Sequence, residues 1–303
     1  MIEEIEFPSE GATLRGRLFM PYALPQVQKP PVIIMAHGTS ATIFMGVDSY
    51  AETFCRAGFA VLLYDHRNLG RSGGEPRQEI NPWIQARGYR DAIDFVETRD
   101  DLDAGRIALW GSSYSGGEVM VVGAMDERIK AISAQCPVCG TEPPVLATNR
   151  ANFEVLKETF LRGDVRGSRQ TTTGPIPVVS CDQMGTPSIL KPIQAFRWFI
   201  DYGGRAGTHW INNVTRVIPD TPVPFNPVLC APFVKAPILM TVAPEDEMVH
   251  ANYAVARLAF DLMPGPKEWH DIRGGHFGLI YCPSDLFDEA TRLQVGFFKQ
   301  WLS

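Results

Sequence analysis

Three residues that lie far apart in this 303-residue chain, Ser113, Asp246 and His276, have the types and the order that nucleophilic catalysis by serine requires. A serine hydroxyl is a weak nucleophile unless an imidazole takes its proton, and a carboxylate must orient that imidazole. Where the serine lies on a turn between a strand and a helix, the acid follows it in the chain and the histidine comes last. The sequence therefore predicts acyl-transfer chemistry with Ser113 as nucleophile, Asp246 as acid and His276 as base.

The choice of serine depends on the stretch LWGSSYSGG, which covers residues 109–117. The tight turn that exposes such a nucleophile has room only for small residues two positions before and two positions after it. Ser112 is excluded because Trp110 lies two positions before it. Ser113 and Ser115 both satisfy the rule, but the strand-like run ends at Trp110, so Ser113 falls at the tip of the turn. Ser113 is the predicted nucleophile, Ser115 remains the alternative, and a helix-capping role is the non-catalytic interpretation.

The acid and the base are expected at the ends of later strands. The apolar run of residues 236–243 leads into a cluster of carboxylates, and Asp246 lies just past its end. Glu245 and Glu247 flank Asp246 and remain alternatives, and a charged surface turn would have the same composition. His276 lies in the loop RGGHFG before the last predicted helix, where the base is expected. A lone histidine is usually structural, but here the three residues occur in the required order.

Two backbone N–H groups are expected to bind the oxyanion that forms when the serine attacks a carbonyl. One belongs to Tyr114, the residue after the predicted nucleophile. The other would come from the loop after the predicted strand of residues 31–38, most simply from Thr39. Gly38 lets this loop turn tightly, and His37 is interpreted as a brace for the loop rather than as a catalytic base.

The elements that must position these residues are predicted from the hydrophobic pattern. Residues 1–20 have the alternation and the turn of an antiparallel hairpin. After residue 30, short apolar runs alternate with amphipathic stretches, which is typical of parallel βαβ units. Asn81 and Pro82 are the predicted N-cap and first residue of one helix. The predicted fold class is α/β, with a mostly parallel sheet and helices on both of its faces.

Residues 140–232 interrupt this alternation. They are rich in proline, glycine and aromatic residues, and they contain helix-like stretches but no pattern that predicts further sheet. Because they are too long for a plain loop, they are predicted to form a lid or cap inserted into a core of residues 1–139 and 233–303. Their aromatic side chains are expected to line the substrate pocket. A surface insertion with a small core of its own is the alternative.

Five segments resemble the α/β-hydrolase superfamily, and they occur in the order AHGTS, LLYDHRNLGRSGG, ALWGSSYSGG, VAPEDEMV and GGHF. The forms DHRNLGRSGG and GSSYSGG are similar to the dienelactone-hydrolase-like and Xaa-Pro dipeptidyl-peptidase-like branch. The resemblance covers most of residues 30–139 and 233–303. It implies an α/β-hydrolase fold and a hydrolase that cleaves an ester, thioester, lactone or amide bond through an acyl-enzyme.

The sequence departs from the pattern of this branch at two points. Ser115 lies two residues after the predicted nucleophile, where glycine is commoner, and the nucleophile is a serine where dienelactone hydrolases proper use cysteine. The substrate does not follow from the resemblance, because this fold hosts many chemistries. The aromatic insertion favours a small apolar or aromatic substrate. A C–C bond hydrolase, an acyltransferase and a non-catalytic ligand receptor remain alternatives.

Composition argues against several other classes of function. A formal net charge of −6 does not favour binding to nucleic acid or to an anionic membrane. No apolar run approaches the roughly 18 residues that span a bilayer, and the acidic N-terminal segment lacks the features of a signal peptide. The expected location is therefore the cytoplasm. The expected partner is a small-molecule substrate, and a homodimer is a further expectation.

No cofactor and no metal are expected. The six cysteines are scattered along the chain, and Cys136 and Cys139, although they form a C-x-x-C motif, are interpreted as two buried cysteines rather than a redox or metal site. The six histidines show no paired metal-binding spacing. The chain also lacks the G-x-x-x-x-G-K-[ST] motif of a phosphate-binding loop.

Overall fold

The apolar, β-branched runs of the sequence form a central sheet of eight strands. The structure is a computed structural model that describes residues 1–22 and 29–303. In spatial order the strands are β1 (Ile2–Ser9), β2 (Ala12–Phe19), β4 (Ala60–Tyr64), β3 (Pro31–Ala36), β6 (Asp103–Ser112), β7 (Ile129–Gln135), β10 (Ile238–Val242) and β11 (Lys267–Asp271). The β1–β2 hairpin joins the sheet antiparallel to β4, and all the pairs from β4 to β11 are parallel. The predicted α/β class is confirmed.

Each face of the sheet has its own core, because successive side chains of a strand point to opposite faces. On β3, Val32 and Ile34 belong to the core on one face, whereas Ile33 and Met35 belong to the core on the other. The helices that supply these cores are α2 (Pro82–Glu97), α3 (Tyr114–Met125) and α7 (Tyr253–Leu262) on the first face, and α1 (Val47–Arg56) and α9 (Asp285–Leu302) on the second. A parallel sheet is normally covered on both faces in this way.

The start of α2 agrees with the sequence pattern. Asn81 has an extended backbone, and its side chain accepts a hydrogen bond from the N–H of Trp83 at 3.1 Å. Pro82 takes the first helical position, where its missing N–H costs nothing because that N–H would have no partner inside the helix. Among the described residues, no helix is long and apolar enough to cross a membrane.

The strand order places two loops side by side at one edge of the sheet. The first parallel strand, β3, lies between β4 and β6, and the chain passes from β3 to β4 on one side and later to β6 on the other. Ligands of open α/β sheets bind beyond the carboxyl ends of the strands where the strand order reverses in this way. Ala36 of β3 pairs with Gly111 of β6. The residues that follow these two are therefore neighbours in space.

Residues 140–232, called here the insertion, lie between β7 and β10. Its elements are α4 (Arg150–Arg162), a 3₁₀ turn (Arg169–Thr171), β8 (Thr172–Ile176), α5 (Ile193–Gly203), β9 (Val214–Val217) and α6 (Pro227–Cys230). The strands β8 and β9 join β5 (Glu79–Ile80) in a second sheet of three strands. The expectation that the insertion adds no sheet is therefore wrong. β9 has only four residues, and Gly174-Pro175 interrupts β8. Neither strand is therefore long enough to show a clear alternation of apolar and polar residues.

Arg87 of α2 ties the insertion to the body of the protein. Its buried guanidinium donates hydrogen bonds of 2.8 Å to the carbonyls of Thr159, Phe160 and Gly163 at the end of α4. It also forms an ion pair of 3.1 Å with Glu10 in the turn of the hairpin. Three separate segments of the chain thus meet at one side chain.

Replacing Arg87 by methionine should lower the free energy of unfolding by about 3 kcal/mol, because buried carbonyls lose their donor while the apolar stem of the side chain is kept. Chemical denaturation of the variant and the parent protein measures this difference. The matched control is Arg56→Met. Arg56 is exposed on α1 and pairs with the exposed Glu52 at 3.5 Å, so its loss should cost less than about 1 kcal/mol. Equal losses in the two variants would contradict the role assigned to Arg87.

Candidate active site

Ser113 lies at the sharp turn between β6 and α3. Its backbone has φ 64° and ψ −118°, a conformation that costs a residue with a side chain of the order of 1–3 kcal/mol. Two backbone hydrogen bonds hold it there: Ser113 N–H donates to the carbonyl of Gln135 at 2.8 Å, and Val138 N–H donates to the carbonyl of Ser113 at 2.9 Å. The turn also requires Gly111, because a Cβ at that position would lie 2.3 Å from the carbonyl oxygen of Ser115. This is the strained turn that the sequence pattern predicts for a nucleophile.

Ser115, the alternative nucleophile, is the second residue of α3 and is fully buried. Its hydroxyl donates to the carbonyl of His37 and lies 3.0 Å from His66 Nε2 and 3.1 Å from Glu118 Oε2. These contacts connect α3 to the loop after β3, and they explain why a serine occupies a position where glycine is commoner. The surroundings of Ser115 fit a structural role better than a nucleophilic one.

The structure brings the predicted acid and base together. His276 is the second residue of the short helix α8 (Gly275–Gly278), and its Nδ1–H donates to Asp246 Oδ2 at 2.7 Å. Both side chains are nearly inaccessible, with 3% and 2% exposed. The second oxygen of Asp246 accepts a hydrogen bond of 2.8 Å from the N–H of Met248, which fixes the carboxylate just beyond β10. A buried carboxylate on Nδ1 leaves Nε2 of the ring free to exchange a proton with a hydroxyl.

The two flanking glutamates have different surroundings. Glu245 is exposed, and its nearest cation is Arg273 at 3.9 Å. Glu247 Oε2 accepts a hydrogen bond of 2.7 Å from the backbone N–H of His276, not from its ring. Glu247 therefore holds the loop that carries the predicted base. Sequence reasoning treated Glu247 only as a substitute for Asp246, because a contact from a side chain to a distant backbone has no sequence signature.

A cysteine thiol adjoins the acid–base pair. Cys136 Sγ, an oxygen of Asp246 and a ring nitrogen of His276 all lie within 4.8 Å of one another, a spacing at which such atoms could hold a metal ion. Burial, and after it the charge of Asp246, raises the pKa of the Cys136 thiol well above its ordinary value, whereas a metal ligand is a thiolate. His276 Nδ1 is already bonded to Asp246. The arrangement fits an acid–base pair beside a neutral thiol better than a metal centre. Cys136 and Cys139 are both free and buried.

The two predicted oxyanion donors lie at the junction of the neighbouring loops. Tyr114 is the first residue of α3, so its N–H has no carbonyl partner inside that helix. Thr39 follows Gly38, where an added Cβ would lie 3.1 Å from the Cβ of Ser113. His37 stabilises this loop, because its Nε2 accepts a hydrogen bond of 3.2 Å from the N–H of His66. The positions of Thr39 and Tyr114 are compatible with the prediction that their N–H groups bind an oxyanion.

Two cavities meet at Ser113. The large cavity has a volume of about 720 Å³ and the small cavity about 40 Å³. Ser113 and Thr39 line both of them, Tyr114 lines only the large cavity, and His276 lines only the small one. The volume of the large cavity is in the range of small-molecule binding sites.

The insertion contributes to both cavities, but with fewer aromatic residues than expected. Phe225 lines the large cavity, and Trp198 and Phe199 line the small one. The rest of the insertion's share of the large cavity is mainly aliphatic and proline side chains, including Ile189, Leu190, Pro192, Ile218, Pro219 and Pro224. Other aromatic residues of the insertion stabilise its packing instead, as where Phe153 stacks on Phe233 with ring centroids 3.9 Å apart.

A buried polar cluster of His37, His66, Ser115 and Glu118 lies beneath this junction, and Glu118 also lines the large cavity. Burial lowers the pKa of His37 to about 4 and that of His66 well below its ordinary value. Burial raises the pKa of Glu118 well above its ordinary value. Burial thus favours the uncharged form of each group. This side of the large cavity is polar without a strong charge.

Comparison with known proteins identifies relatives of this chain. Residues 10–154 match the family described as X-Pro dipeptidyl-peptidase (S15 family). The thiohydrolase apmlB of Arthrinium phaeospermum is 38% identical over 324 residues, which cover 97% of this chain and 95% of that protein. The acyltransferase drtE of Aspergillus calidoustus is 27% identical over 309 residues, covering 98% and 94%.

The fold is also found in solved structures. The α/β hydrolase GrgF from Penicillium sp. sh18 superposes with a TM-score of 0.73 at 22% sequence identity, over 100% of this chain and 99% of that one. The superfamily and the branch inferred from the sequence segments are confirmed by these matches. This chain belongs to the α/β-hydrolase superfamily, in the branch related to the X-Pro dipeptidyl-peptidases and to the thiohydrolase apmlB, and it is an enzyme of the serine hydrolase type.

Proposed function

We propose that this enzyme hydrolyses a thioester, or a similarly activated ester, of a largely apolar acyl group through an acyl-enzyme on Ser113. The observation that carries the proposal is the Asp246–His276 hydrogen bond of 2.7 Å beside a cavity that Ser113 also lines. The choice of a thioester is supported by the relative at 38% identity, which is a thiohydrolase. The apolar walls of the large cavity support an apolar acyl group.

In the first half of the reaction, Ser113 Oγ attacks the thioester carbonyl carbon while His276 Nε2 takes the hydroxyl proton. Asp246 stabilises the imidazolium that forms, and the N–H groups of Thr39 and Tyr114 bind the oxyanion. The tetrahedral intermediate then collapses, the carbon–sulfur bond breaks, and the leaving thiolate takes the proton from His276. In the second half, water attacks the acyl-enzyme with His276 as base, and Ser113 regains its proton as the carboxylic acid leaves.

The two cavities have separate roles in this mechanism. His276 must protonate the leaving atom, so that atom lies on the side of Ser113 where His276 lines the small cavity. The acyl group is then on the opposite side, in the large cavity that Tyr114 lines. The difference in volume, about 720 against 40 Å³, agrees with a bulky acyl group and a narrow space around the leaving atom.

Transfer of the acyl group to an alcohol or amine is the second candidate function. It uses the same acyl-enzyme and differs only in whether water or another nucleophile enters in the second half. The acyltransferase relative, aligned over 98% of this chain, favours keeping it under test. Adding candidate alcohols to the thioester reaction and measuring the ratio of ester to free acid separates the two functions.

Replacing Ser113 by alanine should lower kcat for a simple acyl thioester by a factor of about 10³ or more, since no acyl-enzyme can form. A fluorophosphonate should label the parent protein on Ser113, as located by peptide mass spectrometry. The matched control is Ser115→Ala, which removes the neighbouring hydroxyl. It should keep labelling at Ser113 and lose thermal stability, because Ser115 bonds the loop of His37. A phosphonate found on Ser115 would overturn the assignment.

Replacing Asp246 by asparagine should lower kcat by a factor of about 10³ to 10⁴ near neutral pH, because the amide can neither fix the tautomer of His276 nor stabilise its cation. Glu245→Gln removes an equal charge from an exposed neighbour and should leave kcat within about twofold. Glu247→Gln keeps an oxygen that can accept the N–H of His276, so its effect should be intermediate. A large loss in Glu245→Gln with little change in Asp246→Asn would place the acid elsewhere.

A further inference from the structure

The large cavity contains a cationic side chain that the proposed mechanism does not use. Arg216 lies on β9 of the second sheet, where it pairs with Ile80 of β5. Residues paired directly across two strands share a face of the sheet, and both Arg216 and Ile80 line the large cavity. Val217, the next residue of β9, is buried on the other face. The second sheet thus directs Arg216 towards the space that Ser113 opens onto.

Arg216 forms no ion pair within 4.0 Å among the residues that the structure describes, unlike Arg87 and Arg128, whose guanidinium groups bind carboxylates. Two carboxyl side chains line the same cavity, but both have other contacts. Glu247 accepts the backbone N–H of His276, and Glu118 lies beside the hydroxyl of Ser115. Arg216 therefore faces the cavity with its hydrogen-bonding capacity available.

The surroundings of Arg216 make this arrangement costly unless a ligand supplies an anion. Arg216 is only partly exposed, and it lines a cavity with mostly apolar walls, where water screens charge poorly. Lys191, which lines the same cavity, adds a second positive charge. A guanidinium offers a planar set of N–H donors that matches a carboxylate with two parallel hydrogen bonds.

We propose that Arg216 binds a carboxylate at the far end of the substrate's acyl group. The large cavity would then accept an acyl chain with an apolar body and an anionic end, such as the half-thioester of a dicarboxylic acid. This proposal rests on the proposed function, because it uses the same acyl-enzyme and the same division between the two cavities. It also changes the expectation of a small apolar or aromatic substrate that the aromatic residues of the insertion suggested.

The large cavity, with a volume of about 720 Å³, sets the scale of the acyl chains to compare. Glutaryl, adipoyl and suberoyl chains increase the separation between the carboxylate and the scissile carbonyl in steps. Because Ser113 and Arg216 line the cavity at fixed positions, the carboxylate preference should depend on chain length.

For each chain length, the test compares kcat/KM of two N-acetylcysteamine thioesters, one ending in a free carboxylate and one ending in a methyl ester. Chromatography of the released acid measures their hydrolysis. The parent enzyme should prefer the carboxylate in kcat/KM by about tenfold or more. In Arg216→Met this preference should fall by about tenfold or more, and Arg216→Lys should keep part of it. The matched control is Arg197→Met, which removes an equal charge from the exposed face of α5, away from both cavities, and should keep the full preference.

The proposal is overturned by a parent enzyme without preference, by an equal loss on both substrates in Arg216→Met, or by the same loss of preference in Arg197→Met. A carboxylate preference that appears only when the carboxylate is on the thiol part, tested with the acetyl thioester of 3-mercaptopropionate, would also overturn it. Methyl-ester turnover that disappears in Ser113→Ala shows that the proposed function holds even if the preference is absent. If neither the carboxylate nor the methyl ester is turned over, the proposed function itself fails.

Discussion

The pairing of β3 with β6 is the constraint on which the site depends. It aligns Ala36 with Gly111, so the segments that follow leave the sheet side by side, with Gly38 beside Ser113 and Thr39 lining the same cavities. The strained backbone of Ser113 persists because β7 and the residues after it supply hydrogen bonds to both its N–H and its carbonyl. A parallel sheet thus provides both the location of the turn and the free energy that holds it. The same strand order places β10 next to β7 and β11 next to β10, so Asp246 and His276, which follow these two strands in the chain, lie on that side of Ser113.

The polar cluster beneath the junction explains how three adjacent loops stay in place without secondary structure between them. The hydroxyl of Ser115 on α3 donates to the carbonyl of His37, and the ring of His37 accepts the N–H of His66 at 3.2 Å. Loops after β3, β4 and β6 are thereby linked through two buried side chains. Charged groups at this depth would need counter-ions, but burial favours the neutral forms of His37 and Glu118. The cluster can therefore connect the loops without placing a charge under the predicted oxyanion site.

The sequence was sufficient for the parts of the fold that depend on local patterns. The hydrophobic runs, the turn residues and the Asn81-Pro82 start of α2 follow from short-range rules. The order of Ser113, Asp246 and His276 in the sequence predicts that they act together, and the structure places Asp246 and His276 within hydrogen-bond distance of each other. The second sheet was missed because its strands are short and one contains Gly-Pro. The contact of Glu247 with the backbone of His276 and the position of Arg216 in the cavity depend on how distant segments pack. No spacing in the sequence encodes them.

The body and the insertion provide different parts of the site. All the residues assigned to bond breaking come from strand ends of the body, whereas the insertion supplies Leu190, Phe225 and Arg216 to the walls of the large cavity. Because β9 is bonded to β5 of the body, the insertion cannot change the orientation of Arg216 without disturbing residues just before α2. Arg87, further along α2, holds the end of α4. Residues 79–87 of the body therefore anchor the insertion at two places, β5 and Arg87, so the walls of the large cavity are positioned relative to Ser113 by the same packing that stabilises the fold.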